Sequence, residues 1–421
     1  MDVIVQKFGG TSVSEKERRR RVIEHIRRER ESGFALVVVV SAMGRFGDPY
    51  ATDTLLSLVG GDRSNLPPRE KDLLLSTGEI ISAAVLAEEL WEEDIPNTIL
   101  TGGQAGIITN DRPNNAHIVA LKPDRVKEAL VLGHVVIVPG FQGMSQSGQI
   151  TTLGRGGSDT SAAALGVALD AKYVDIYTDV NGVMTADPRF VEEARPIREM
   201  TYTEVANYAY LGAKVIHPRA VELAMQKNIP LRIRGLFDDG IGTVILPLSE
   251  INKHRGLRER LITGITHVAD VTQIVVESDT VDYKLHLNVF KAMADHGISV
   301  DFINTSPSHV AYTVSRRDTE RAEILLKQME LTYKLTPGCA KISVVGAGMT
   351  GRPGVMSTIV EALVEAGIPI LQAADSHTTI WVLTENMYLK QALLALHRKF
   401  ALAMEETEVE EDGGIVHFIS S

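Results

Sequence analysis

The chain has 421 residues, room for two to four domains at the usual ~150 residues each, and its 43 Lys plus Arg against 54 Asp plus Glu give a formal charge of -11. That balance argues against general affinity for nucleic acid or for an anionic membrane surface, so an anionic substrate must be met by a local basic pocket. A single cysteine, Cys339, excludes an intrachain disulfide framework, and with no charged-then-apolar leader and no apolar run longer than Phe34–Val40 the expectation is a cytoplasmic chain.

The first element is a short apolar strand, Val3–Val5, which runs at once into Gln6-Lys7-Phe8-Gly9-Gly10-Thr11-Ser12-Val13. Two glycines let a backbone approach a ligand closely, and their N–H groups, the two hydroxyls and the Lys7 ammonium all donate toward an anion. The spacing is neither GxxxxGK[ST] nor GxGxxG. Two readings stay open from this segment alone: an anion site, or a tight strand-to-helix turn with an incidental lysine. Ser14 followed by Glu17 predicts a capping box at the start of a helix over about 15–31.

From there to about residue 245 apolar runs alternate with helical patterns: strand Leu36–Val40, a helix around 70–91, strand Asn97–Leu100, a helix near 122–132, strand Val135–Val138, a helix at 158–169, strand Tyr173–Tyr177, helices over 203–212 and 217–226, and strand Leu231–Arg234. This order predicts an α/β fold, a mostly parallel sheet sandwiched by helices. The run Arg18-Arg19-Arg20-Arg21 is interleaved with Glu15, Glu17, Glu24, Glu29 and Glu31, so it reads as a solvated helix face with ion pairs, Val22 and Ile26 turned inward.

Several polar clusters punctuate this region. Ser41 follows a buried strand, at the end of a parallel strand where ligands of open α/β sheets gather. Thr52-Asp53 comes after an extended stretch, Arg45-Phe46-Gly47-Asp48-Pro49-Tyr50, and Ser76-Thr77-Gly78-Glu79 reads as the start of a helix, with Glu79 in its first turn. Thr152-Leu153-Gly154-Arg155-Gly156-Gly157-Ser158-Asp159 surrounds an arginine with glycines and leads into a Ser/Asp-capped, alanine-rich helix; arginine's planar fork suits a carboxylate. Thr178-Asp179-Val180-Asn181-Gly182-Val183-Met184-Thr185-Ala186-Asp187-Pro188-Arg189 makes a rigid loop after a strand. Gly212-Ala213-Lys214-Val215-Ile216-His217-Pro218 adds a lysine, and His217, just before a proline at a helix start, reads as structural. No HExxH, CxxC or clustered His/Asp ligands occur, so no protein-caged metal is expected.

Composition changes between about 238 and 262, which reads as a domain junction. Beyond it lies an internal repeat: Val289–Ile298 matches Ile359–Ile368 at an offset of 70 residues, and the offset persists at Ser306 and Ser376, then Val310 and Ile380. Each copy reads strand, helix, Gly-Ile turn, strand, strand, helix, the α+β pattern of ferredoxin-like domains.

KFGGTSV, GRGGSD and the TDV-G-V-TADPR segment, in this order, closely resemble the signatures of the aspartate kinases, in the amino-acid-kinase superfamily, and the C-terminal repeats resemble paired ACT domains. The resemblance implies an amino-acid-kinase fold over 1–245, a linker at 246–263 and ACT-like repeats at 264–336 and 337–421, with strands open to exchange between the repeats. It implies ATP with Mg²⁺ held mainly by the nucleotide, L-aspartate as acceptor, and phosphoryl transfer to its β-carboxylate. Lys7, Asp159 and Lys214 would be catalytic. Lys7, Phe8, Gly9, Gly10, Thr178, Asp179, Met184, Arg189, Lys214 and Val215 would hold ATP. Ser41, Thr52, Glu79, Arg155 and Ser158 would hold aspartate, Arg155 on the α-carboxylate and Glu79 on the ammonium. Lysine, threonine or diaminopimelate would act as feedback effector through the ACT repeats, which would also join a homodimer. The rivals are a glutamate-type or N-acetylglutamate kinase and an amino-acid sensor whose kinase domain has lost activity.

Overall fold

The computed structural model describes residues 1–213, 215–255, 261–278, 284–349 and 352–404. Its largest element is an eight-stranded sheet whose strands lie side by side in the order Glu199–Thr201, Thr243–Leu246, Leu231–Gly235, Tyr173–Thr178, Val3–Phe8, Ala35–Val40, Val135–Pro139, Asn97–Ile99. All neighbours are parallel except Leu231–Gly235 with Thr243–Leu246. The inner strands are apolar along most of their length because helices cover both faces, and two cores result. One side holds Val5, Val37, Val39, Val138 and Ile176; the other holds Ile4, Phe8, Val38, Val40 and Ile137.

The chain first builds outward from Val3–Phe8 to Ala35–Val40, then crosses to the opposite side to place Tyr173–Thr178. The end of Val3–Phe8 is thus the point where winding reverses, which in open α/β sheets opens a crevice for ligands. A second sheet, Ile118–Leu121, Ile107–Thr109, Gln142–Ser145, Ile150–Thr152, has no counterpart among the elements expected from the sequence.

The basic run is held much as expected, with partners further afield. Arg21 pairs with Glu24 three residues on, but Arg19 reaches Glu89 at 2.8 Å, and Arg21 and Arg28 both reach Asp239. The expected helix start needs correcting. A short helix, Gly10–Val13, begins directly after Gly9, and the long helix Lys16–Glu31 has Glu15 at its N-cap with no side-chain cap. Ser14 donates its hydroxyl to the Thr11 carbonyl instead, so there is no Ser14–Glu17 capping box.

The stretch expected as linker contains the helix Leu248–Arg255. Past it, the two repeats share one six-stranded antiparallel sheet, ordered Asp301–Ser306, His309–Ser315, Gly264–Glu277, Thr332–Val345, Thr379–Glu385, Gln372–Asp375. The two central strands have 14 residues each and serve both cores. Ile265 packs with Ile342, Ile359 and Leu393, whereas Ile274 and Val276 pack with Val289 and Leu326, with Tyr333 and Leu335 against them. Gly297 and Gly367 explain the recurring Gly-Ile turn. Both sit at positive φ just beyond a helix end, which lets the N–H of Ile298 and Ile368 return to the carbonyls of Met293 and Leu363.

The second repeat is built into the kinase-like region. Ala186 and Val191, from the loop that follows the Tyr173–Thr178 strand, are buried in the same core as Ile342, Leu389 and Leu396. Thr185 shares a hydrogen bond of 3.0 Å with His397, Ile265 donates its N–H to the Thr185 carbonyl, and Arg195 donates to the Leu402 carbonyl. Among the described residues no helix is long and apolar enough to cross a membrane.

Candidate active site

At the reversal point the Gly9-Gly10 dipeptide is wedged between two neighbouring strand ends. A Cβ on Gly10 would lie 2.4 Å from the Ala42 carbonyl oxygen and 2.9 Å from that of Gly44, and the Gly10 carbonyl accepts the Gly44 N–H. Gly10 is therefore demanded by packing against the loop after Ala35–Val40. Gly9, whose Cβ would meet only Lys7 Nζ at 3.6 Å and the Tyr177 carbonyl oxygen at 3.9 Å, borders open space. Phe8 is fully buried and stacked on Tyr177, so only its backbone is available to a ligand. Ser12 is buried as well.

Lys7 Nζ lies 2.8 Å from Asp159 Oδ1, each side chain only about an eighth exposed. The other carboxylate oxygen of Asp159 accepts the His217 N–H, at the start of helix Pro218–Met225. His217 itself caps that helix, its Nδ1 accepting from Arg219, and burial lowers its imidazole from the usual range, in keeping with a structural role. The helix bearing Asp159 starts at Gly157 with Gly156 as N-cap at φ 68, so Ser158 and Asp159 occupy its first turn and do not cap it. A Cβ on Gly156 would sit 2.2 Å from the His217 side chain. Gly156→Ala should then cost about 2–4 kcal/mol from left-handed strain plus overpacking. The expected result, read by thermal melting, is a lower Tm.

A cleft of about 270 Å³ is lined by Lys7, Ser41, Thr52, Glu79, Arg155, Ser158 and Asp159 together with Phe141 and the flanking glycines. It thus gathers every residue expected to hold aspartate and two of the three expected to be catalytic; Lys214 lies outside the described residues. Arg155 projects from between Gly154 and Gly156, both at positive φ, and has no ion-pair partner among the described residues. Ser158 fits because Gly140 opposite it lacks a side chain, where a Cβ would come within 2.9 Å.

Glu79 is not in the first turn of its helix, contrary to expectation. The helix runs Pro68–Glu92, and Glu79 lies three turns in, only 2 % exposed. Burial pushes its carboxyl up to about 8, against the opposing hydrogen bonds from the Ala42 N–H and the Thr52 hydroxyl. Its Oε2 has no hydrogen-bond partner. A buried, unpartnered carboxyl oxygen beside a cleft is suited to receive a cation. Gly78 makes the site possible, since a Cβ there would meet the Tyr50 carbonyl oxygen at 2.8 Å.

Of the residues expected to hold the nucleotide, Thr178 and Asp179 lie on the other flank of Val3–Phe8. Thr178 ends the neighbouring strand and donates its hydroxyl to Asp179, whose second oxygen is 3.1 Å from Arg45. Met184 bridges to Pro196, and Val215 packs against the sheet core. The Arg189 guanidinium is held by Asp187 through both Nε and Nη2.

Two contributors escaped the sequence reading. Asp72, fully buried and seven residues before Glu79 on the same helix, accepts both the N–H and the hydroxyl of Thr152 and so ties the helix of Glu79 to the strand that leads into Arg155. Two acids about two turns apart on the helix face that also carries Leu75, Ala83 and Leu86 were the available signal. Phe141, at φ 68, lines the cleft in a backbone conformation costly for an aromatic residue, and nothing in the sequence marks it.

A family model described as the amino acid kinase family matches residues 2–235, and one described as the ACT domain matches residues 334–398. The chain is 53% identical over 403 residues to aspartokinase 1 of Bacillus subtilis, covering 96% of this chain and 100% of that one. It is similar in structure to E. coli aspartokinase III in complex with aspartate and ADP (R-state), with a TM-score of 0.76 at 26% identity over 94% of this chain and 99% of that one. The same enzyme in complex with lysine and aspartate (T-state) gives a TM-score of 0.75 at 26% identity, with the same coverage. The chain therefore belongs to the amino acid kinase family, in its aspartokinase branch with C-terminal ACT domains.

Proposed function

We propose that this aspartokinase transfers the γ-phosphoryl group of ATP to the β-carboxylate of L-aspartate, giving ADP and 4-phospho-L-aspartate. The observation that supports the reading is one cleft lined by the Lys7–Asp159 pair, by Glu79 with its unpartnered oxygen and by Arg155. Arg155 holds the α-carboxylate, Glu79 receives the ammonium, and Ser41, Thr52 and Ser158 close around the acceptor. The β-carboxylate is already ionised at neutral pH, so no strong base is required. Catalysis then rests on positioning and on positive charge, with Lys7 held in place by Asp159 and Lys214 as the second cation. Mg²⁺, carried mainly by the nucleotide, neutralises phosphate charge when bound.

In the regulatory half, an end-product amino acid (lysine, threonine or diaminopimelate) binds the ACT pair, which also joins two copies into a dimer. Lysine is the molecule bound in the T-state structure of the E. coli relative. The decisive measurement is ADP release with aspartate against glutamate, repeated with each candidate effector, and with hydroxylamine to trap the acyl phosphate. Aspartate-dependent release with trapped product, lowered by one effector, is expected. Release with glutamate alone makes the chain a glutamate-type kinase, and no release or trapped product makes it a sensor.

A further inference from the structure

The stretch Arg45–Tyr50, after the Ala35–Val40 strand, supplies none of the side chains assigned to aspartate, to the nucleotide or to catalysis. Arg45 Nη2 nevertheless meets Asp179 at 3.1 Å. Those two residues come from opposite flanks of Val3–Phe8: Arg45 follows the strand on the aspartate side, and Asp179 follows the strand on the nucleotide side. Between them lies the Gly9-Gly10 dipeptide, whose Gly10 packs on Gly44 and whose Gly9 faces the Tyr177 carbonyl. The ion pair therefore spans the end of Val3–Phe8, over the place where donor and acceptor meet.

The loop carrying Arg45 is well anchored. The Gly44 N–H bonds to the Gly10 carbonyl, the Arg45 N–H to Asp48, and the Gly47 N–H to the hydroxyl of Thr54, on the helix that begins with Thr52. The guanidinium itself is held loosely. Its side chain is 71% exposed and that of Asp179 58%, and exposed single pairs of this kind contribute little. Lys7 is by contrast paired in a part-buried setting, and Arg189 is gripped by Asp187 through two nitrogens. Of these three cations Arg45 is the one most easily exchanged onto an incoming anion, and arginine's fork suits phosphate oxygens.

We infer that Arg45 is a further phosphate-binding residue: from its anchored loop the guanidinium leaves Asp179 and takes the terminal phosphate oxygens of ATP, freeing Asp179 for the nucleoside. The inference rests on the ATP reading of the cleft. Because Arg45 reaches over the junction from the acceptor side, it meets the β and γ phosphates and not the α phosphate.

The test is calorimetric binding of ATP, ADP and AMP, each with Mg²⁺, to the full chain and to Arg45→Ala and Arg45→Lys, with steady-state KM for aspartate alongside. Arg45→Ala should weaken ATP by about tenfold or more, the scale of a lost charge-assisted hydrogen bond, ADP by less, and AMP not at all, with Tm and the KM for aspartate nearly unchanged. Arg45→Lys should fall between. If Arg45→Ala leaves ATP binding unchanged, or weakens all three nucleotides equally as a mere tether would, the inference is overturned while the kinase reading stands. Failure of the unaltered chain to release ADP with aspartate would instead remove the reading beneath both.

Discussion

Replacing Lys7 by alanine should lower kcat by at least about 10²-fold, the usual consequence of removing one preorganised charge from a transferring group, while the KM for aspartate changes little. The split follows from where the groups sit. Arg155 and Glu79, the residues proposed to orient the amino acid, belong to different elements from Lys7, and Glu79 keeps its bond from the Ala42 N–H. Asp159 loses an ion-pair partner but still accepts the His217 N–H, so the junction of the two helices survives. Some stability is lost, because a part-buried carboxylate is left without its cation. Steady-state kinetics of ADP release checks the result, and turnover within a few-fold of the unaltered chain would refute the role given to Lys7.

Glu79→Gln should have two effects of opposite sign. Activity should fall, with kcat/KM for aspartate dropping about 10²-fold or more as the ammonium loses its charged partner. The pH profile should change as well. In the empty cleft Glu79 holds its proton up to about 8, so below that pH the ionised form that receives the ammonium is scarce. In the parent chain kcat/KM for aspartate should therefore rise with pH up to about 8, and Glu79→Gln should abolish that limb.

Stability moves the other way. The folded chain keeps a proton on Glu79 between its ordinary value of 4.5 and about 8, where the unfolded chain has released it. The folded state binds more protons in that window, so this group's contribution to stability falls as pH rises through it, by roughly 5 kcal/mol at most. The variant lacks this dependence. Its Tm relative to the parent should rise by several degrees between about pH 5 and about pH 9, and any fixed cost of burying an amide cancels in that difference. A gap independent of pH would show that Glu79 is ionised in the folded chain across the range.

Local pattern revealed most of the large sheet and little of how the cleft is closed. A fully buried strand needs no help from tertiary context to be recognised: Leu36, Val37, Val38, Val39 and Val40 are all apolar because both faces of the sheet are covered. The repeat was legible because helix ends need glycine at 297 and 367. Helix starts near the site were not. The Ser14 cap gives way because Gly10, packed on Gly44, starts the helix earlier, and Arg19 takes the carbonyls of Val13 and Ser14. Pro67-Pro68 was the sign that Glu79 lies deep in its helix, and its burial comes from contact with Ala42 and Thr52, distant in sequence. Residue types named the chemistry of Arg155 and Lys7; only the winding of the sheet brings them to one cleft.

The joint core of Ala186, Val191, Ile342 and Leu396 bears on genetics. A chain cut short after the kinase-like region would lose Ile342 and Leu396 and leave Ala186 and Val191 exposed to water on the very loop that carries Met184 and Arg189. A nonsense or frameshift allele that removes Ile342 through Leu396 is then expected to disturb the kinase-like region as well as the repeats. Alleles that alter the repeats and keep the kinase-like loop in place are therefore expected to be missense, at positions that leave this core filled.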